Sequence, residues 1–393
     1  MCMSHGRFAA VRHRSRGGAI WLLRQWRHSL CRPGLRHDLV VVIAVAWAPL
    51  LLITLFEGRA IDAVREPFLE DLNAQVRLLV ALPLLIAAEP LIHCRSRYIV
   101  GPFLERRLIA SEDEPRFRAL VEQSEAMRTS GLMAIALAVA TTVLSGWIWH
   151  QNWSLRSGVW YVSAHPNGTV SLTLGGWWYV FVSLNVFRFV LLRWYYRLLV
   201  WYQFLWHVSR LKLNLNPLHP DRTGGLGFLA LSVAALGLGF LAQTTALAAR
   251  IGGRILHDGA SLDSFVAQMW IAPIFLTLLS ILPLSFFSLR LVQARLKGAV
   301  DYGSLATRYV DSFRRKWLDD STAQETGLLG SSDIQSLADL GNSYQVATSV
   351  RLLPVSLPAL LVHTLMLAAP FIPLALTKIP LDELIRQVVE KVI

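Results

Sequence analysis

Two ionisable residues stand where charge is costly. Glu89 closes the apolar run Leu82-Pro83-Leu84-Leu85-Ile86-Ala87-Ala88, and Arg188 interrupts Val186-Phe187 and Phe189-Val190. Hydrocarbon tolerates such groups only when they are paired or wet. Counted from expected outer helix ends at Val76 and Trp177, Glu89 lies ~20 Å deep and Arg188 ~17 Å deep, at about 1.5 Å per residue. The two are therefore expected to meet, either tying two helices together or lining a route for a solute or proton. His363, beside Thr364 in a proline-rich apolar run, could relay protons near neutral pH or simply hydrogen-bond a neighbouring carbonyl.

A second constellation lies in Leu215-Asn216-Pro217-Leu218-His219-Pro220-Asp221-Arg222-Thr223-Gly224-Gly225-Leu226-Gly227. His219 and Asp221 could act as a base and its orienter, although no serine or cysteine nucleophile with its own motif is nearby. Arg222 and free amides at a helix start could cradle an anion, but Walker and dinucleotide spacings are absent. The same prolines and glycines read equally as a tight structural turn. Arg193 and Arg197, four apart on one helix face, suit contacts to anionic lipid phosphate. Cys2, Cys31 and Cys94 have no metal-type spacing, so no metal, disulfide or cofactor is expected.

The elements that must position these residues are set by composition. Of 393 residues, 54% are hydrophobic and 16% charged, whereas soluble domains carry about 25% charged residues. A water-soluble fold is thereby disfavoured. Apolar runs cover Leu39–Phe56, Val76–His93, Gly131–Trp149, Trp177–Leu199, Leu226–Ala249, Phe265–Leu289 and Leu352–Leu376. Each is near the ~20 residues that a helix needs to cross a bilayer. The expected fold is an all-α integral membrane protein with about seven transmembrane helices.

The net charge of +12 could suggest a nucleic-acid partner, but its cations flank apolar runs, so none is expected. With an inner amino terminus, the inner segments hold 26 Lys and Arg and the outer ones 8. That division places the amino terminus in the cytoplasm and the carboxyl terminus outside. Residues 1–37 carry eight arginines and no acid, with no signal-like apolar core before the first run. This arm is expected to stay cytoplasmic and could lie on anionic headgroups.

Four regions follow: a cytoplasmic arm over 1–38, a six-span domain over 39–289, a cytoplasmic helical segment over 290–351, and a last span with an outer tail over 352–393. Within the second, inner segment 94–130 holds an amphipathic stretch from Glu112 to Arg128. Outer segment 159–173 reads as a β-hairpin around His165-Pro166-Asn167-Gly168-Thr169. The sixth span is expected to run on into a helix with Tyr302, Leu305, Tyr309, Phe313 and Trp317 on one face. Ser332-Asp333-Ile334-Gln335 has capping-box spacing for a second helix, giving a cytoplasmic helical hairpin. The tail 381–389 reads as an amphipathic helix. Small residues Ala230, Ala234, Ala235, Gly237 and Gly239 offer a surface for close helix contact, inside the chain or in a homo-oligomer.

Leu82-Pro83-Leu84-Leu85-Ile86-Ala87-Ala88-Glu89, His219-Pro220-Asp221 with Gly224-Gly225-Leu226-Gly227-Phe228-Leu229, and Asp333-Ile334-Gln335-Ser336-Leu337-Ala338-Asp339-Leu340 with Asn342-Ser343 carry a resemblance. From about Leu39 onward, the chain resembles a group of bacterial multi-pass membrane proteins that have no assigned activity. Arg222 departs from that pattern, which has a small residue there. The resemblance implies a bacterial inner membrane.

Three roles remain open on the sequence. One is transport or conduction of a small solute or ion, with Glu89, Arg188 and His363 along the route. The second is a non-catalytic scaffold or sensor whose cytoplasmic helices, 290–351 above all, bind a protein partner. The third is a membrane enzyme at the His219–Asp221 turn.

Overall fold

A computed structural model describes residues 35–61, 64–152, 158–164, 170–319 and 332–375. Most of the basic arm, the hairpin turn 165–169 and the tail 381–389 lie outside the described residues.

Among the described residues, seven helices are long and apolar enough to cross a membrane. They run from Leu39 to Phe56 (span one), Leu72 to Ile92 (two), Gly131 to Ile148 (three), Leu174 to Arg210 (four), Gly227 to Asp258 (five), Leu262 to Ser285 (six) and Leu357 to Ala375 (seven). The chain is an all-α multi-pass membrane protein. Spans two and four begin a turn earlier than their hydropathy implies, because polar residues cap them. Asp71 accepts from the Ala74 amide at 2.9 Å and Thr173 Oγ1 from the Gly176 amide at 2.9 Å, satisfying donors that would otherwise be orphaned.

At one end of the bundle sits a small antiparallel sheet, β1 (Val162–Ala164) and β2 (Val170–Leu172), with Ser163 opposite Ser171. It is shorter than the sequence suggests, because Trp160 leaves the ladder to fill the core. Its indole is fully buried, meets Phe68 edge-on at 4.9 Å between centroids and donates to Asp71 Oδ2 at 3.1 Å.

At the opposite end, the Glu114–Thr129 helix buries Phe117 and Val121 against span four, in a core shared with Phe103, Phe204, Phe228 and Phe287. Span six does not run straight on. Phe286 and Phe287 form a turn, and Phe287, fully buried, anchors it before the next helix starts at Ser288. The paired helices Ser288–Arg314 and Ser332–Thr348 form the expected helical hairpin. The capping box does not form as read. Ser332 is already helical, Gln335 donates forward to Asp339 at 3.0 Å, and the Asp333 carboxylate accepts from Lys316 at 2.6 Å and Trp317 at 3.0 Å.

Span five is the central helix, and two of its small residues, Gly237 and Gly239, pack inside the chain, whereas Ala234 is exposed. A Cβ on Gly237 would stand 2.7 Å from Met366 of span seven, and one on Gly239 would stand 2.2 Å from the Trp194 ring of span four. Trp194 is buried to 1% exposure and packs edge-on against Phe240, with ring centroids 4.9 Å apart. Gly239→Ala should therefore lower stability by about 1–3 kcal/mol, as overpacking does. Gly146→Ala, where a Cβ meets nothing within 4 Å, should not lower it. Thermal unfolding in detergent compares the two, and equal melting temperatures would refute the close packing.

Candidate functional site

The intramembrane charges are resolved in two different ways. Glu89 does not meet Arg188. Its carboxylate takes Arg193, at 2.5 Å from Nη2 and 2.7 Å from Nε, and Arg197, at 3.0 Å from Nη1. Depth alone favours neither arginine: from the observed starts at Leu72 and Leu174, Glu89 lies 17 residues in, Arg188 14 and Arg193 19. Helix phase decides. Five residues separate Arg188 from Arg193, about 140° around a 3.6-residue helix, so they face different neighbours. Arg193 and Arg197, four apart, share the face toward span two. Beside this clamp, a cavity of about 70 Å³ lies between Trp194, Arg197 and Trp201 and the helix bearing Glu125 and Arg128.

Arg188 turns instead to span three, where Nη1 donates to Ser145 Oγ at 2.6 Å. It lines a second cavity, of about 460 Å³, open toward the β-hairpin end and walled by spans two, three, four and five. Span two adds Arg77, whose Nη2 donates to Asn73 Oδ1 at 2.9 Å and whose guanidinium lies 5.7 Å from the Phe187 ring centroid. Span five adds Arg250 and Arg254, and carboxylates of Glu66, Asp71 and Asp258 also line the space. Among the described residues, neither Arg77 nor Arg188 has a carboxylate within 4.0 Å. Asp71 is committed elsewhere, to the Ala74 amide and the Trp160 indole.

Two π-helical turns, Arg77–Ala81 and Tyr179–Ser183, flank this cavity and begin with residues that line it. Each widens a turn by one residue, a distortion that recurs where side chains must be re-aimed at a site. Arg77, Tyr179, Arg250 and Arg254 were not singled out from sequence. Arg77 lies inside a span and was visible as an intramembrane cation; Arg250 and Arg254 read only as boundary charges.

His363 lies apart from both arrangements, so the three proposed route residues are not brought together. It is 6% exposed, lies 3.1 Å from Ser280 Oγ through Nε2, and faces Gly237. Beside it, the Thr277 and Thr364 hydroxyls are 3.0 Å apart. These contacts tie span seven to spans five and six.

The 215–227 segment is a turn built on Asp221. Its carboxylate accepts from the amides of Thr223 at 2.8 Å, Gly225 at 3.2 Å and Gly227 at 2.9 Å, with His219 Nδ1 at 2.9 Å. The amides that could have cradled an anion are thus occupied by a carboxylate of the chain itself. Arg222, in left-handed backbone at φ 54°, contributes its carbonyl to the Arg351 amide at 2.7 Å. Burial would raise the Asp221 pKa, but the amides of Gly227, Thr223 and Gly225 outweigh it and hold the carboxyl below its ordinary range.

No protein family, curated protein or solved structure matches this chain.

Two outcomes follow from these contacts. Glu89→Arg should cost about 3 kcal/mol or more, since it replaces the counter-charge of two arginines with a third cation. Arg193→Glu should partly restore a Glu89→Arg protein, whereas Arg188→Glu should not; rescue by Arg188→Glu would overturn the pairing. Asp221→Asn should cost about 1–3 kcal/mol at neutral pH. Because the folded-state pKa is depressed, that difference is complete above the ordinary carboxylate range near 4 and shrinks as pH falls through the lowered value. Thermal unfolding of both proteins across pH checks the sign, and a pH-independent difference would contradict it.

Proposed function

We propose that this protein is a transporter or channel for a small solute or ion, taking its cargo through the cavity at the β-hairpin end. That cavity carries the reading. At about 460 Å³ it has the size of a small-molecule site, and it carries charged side chains to membrane depth at Arg188. Charge maintained within a span at a water-accessible space is the usual mark of a solute or ion pathway. Toward the opposite end the Glu89 clamp ties spans two and four and leaves only a cavity of about 70 Å³ beside it.

The distribution of cations supports an amino terminus in the cytoplasm, the helical hairpin inside and the carboxyl terminus outside, and the resemblance to bacterial multi-pass proteins is what suggests an inner membrane. The cavity then opens outward. Arg193 and Arg197, 36% and 24% exposed even within the clamp, and the basic arm fit contact with anionic lipid on the inner side.

A second reading, a scaffold or sensor, draws on Leu296, Val300 and Leu318 of the helical hairpin, which are 62%, 70% and 74% exposed. It requires no movement of solute and no second opening of the cavity.

Sidedness separates the two. With Cys2, Cys31 and Cys94 replaced by serine, a Ser145→Cys protein should react with a membrane-impermeant thiol reagent from both faces of oriented vesicles, as a transport cycle or a pore requires. Reaction from the outer face alone would contradict transport and favour the scaffold or sensor.

A further inference from the structure

Arg77 and Arg188 pose a problem that the fold alone leaves unsolved. They approach from spans two and four, with Phe187 beneath the Arg77 guanidinium and Arg188 next in the chain. Each meets only neutral partners: Asn73 for Arg77 and Ser145 for Arg188. The Arg77 Nε is buried with no acceptor, and Nη1 of Arg188 carries its one hydrogen bond among the described residues. Five residues into span two and fourteen into span four, the two like charges repel one another and, among the described residues, neither forms an ion pair. Carboxylates of Glu66, Asp71 and Asp258 line the same cavity, but among the described residues none lies within 4.0 Å of either guanidinium, so neither arginine is held in an ion pair.

We propose that Arg77 and Arg188 together bind an oxyanion group, a carboxylate or a phosphate, inside this cavity. The inference names the substrate class for the transport reading and rests on it. Guanidinium donors lie in a plane and offer paired N–H groups, which match the oxygen spacing of carboxylate and phosphate. A bound oxyanion would supply the acceptor that the Arg77 Nε lacks and an ion-pair partner, which neither arginine has among the described residues. A cationic solute would meet two guanidinium groups at the inner end and is disfavoured. Arg250 and Arg254 line the same space together with the carboxylates of Glu66 and Asp258. The oxyanion can belong to a free solute or to the headgroup of an outer-leaflet lipid.

Full-length protein in lipid-free detergent tests this, with sodium phosphate, sodium acetate and dioctanoyl phosphatidylglycerol as probes against sodium chloride of equal ionic strength. Phosphate or acetate should raise the melting temperature saturably, and Arg77→Gln or Arg188→Gln should each weaken the apparent affinity at least tenfold. Protection by phosphatidylglycerol alone, lost in the same variants, keeps the site and assigns it to a headgroup. No probe binding, or undiminished binding in the double Gln variant, overturns the proposal. A readout that leaves both arginines in place uses Gly253→Cys, at an open position on the cavity wall: the protecting probe should slow its modification by an impermeant reagent at least tenfold. An unchanged rate there also overturns it. Two-sided access at Ser145→Cys without probe binding would leave transport standing and remove the oxyanion; saturable binding with one-sided access would do the reverse.

Discussion

An arginine inside a hydrocarbon slab must find a counter-charge or an opening to water, and spans two and four contain both solutions. Arg193 and Arg197 converge on one carboxylate at 2.5 and 3.0 Å. Arg77 and Arg188 meet only amide, hydroxyl and aromatic groups and line a cavity instead. Much else in the bundle follows from this division. The clamped end is tight, with Trp194 driven against Gly239, while the other end keeps four helices far enough apart to hold about 460 Å³.

The backbone is adapted to that contrast. Where spans four and five close up, glycine removes the Cβ; beside the larger cavity, π-helical turns at Arg77–Ala81 of span two and Tyr179–Ser183 of span four re-aim side chains. Polar caps outside the apolar runs fix where spans two and four start. Asp71 does this for span two and also receives the Trp160 indole, so one carboxylate joins the helix, the hairpin base and the cavity wall. Asp221 plays the same part at the opposite end by gathering three amides into the turn before span five.

What could be read from the chain was what depends on local composition. Seven apolar runs became seven helices because hydrocarbon leaves a single span no other way to satisfy its backbone. The hairpin over Val162–Leu172 and the helix from Ser332 were likewise signalled by nearby residues. The pairing of Glu89 was misread because depth was counted and helix phase was not; the four-residue spacing of Arg193 and Arg197 held the missing clue. The anion cradle around Arg222 was misread because an acid two residues from the glycines could take their amides for itself. The cavity had no local signature at all, since Arg77, Ser145, Arg188 and Arg250 come from four spans and become neighbours only on folding.

The central claim is that Arg188 is stabilised by water or solute in a cavity open to the hairpin end rather than by an acidic side chain. Water contact at matched depth measures this most directly. A nitroxide at Leu184, on the cavity wall, and one at Val143, on the apolar surface of span three at 66% exposure, both sit about four residues from Arg188 or closer to the same membrane level. In bilayers prepared in deuterated water, spin-echo modulation should report strong deuterium contact at Leu184 and little at Val143. Equally weak modulation at both positions would mean that hydrocarbon or protein fills the space, and the account would fail.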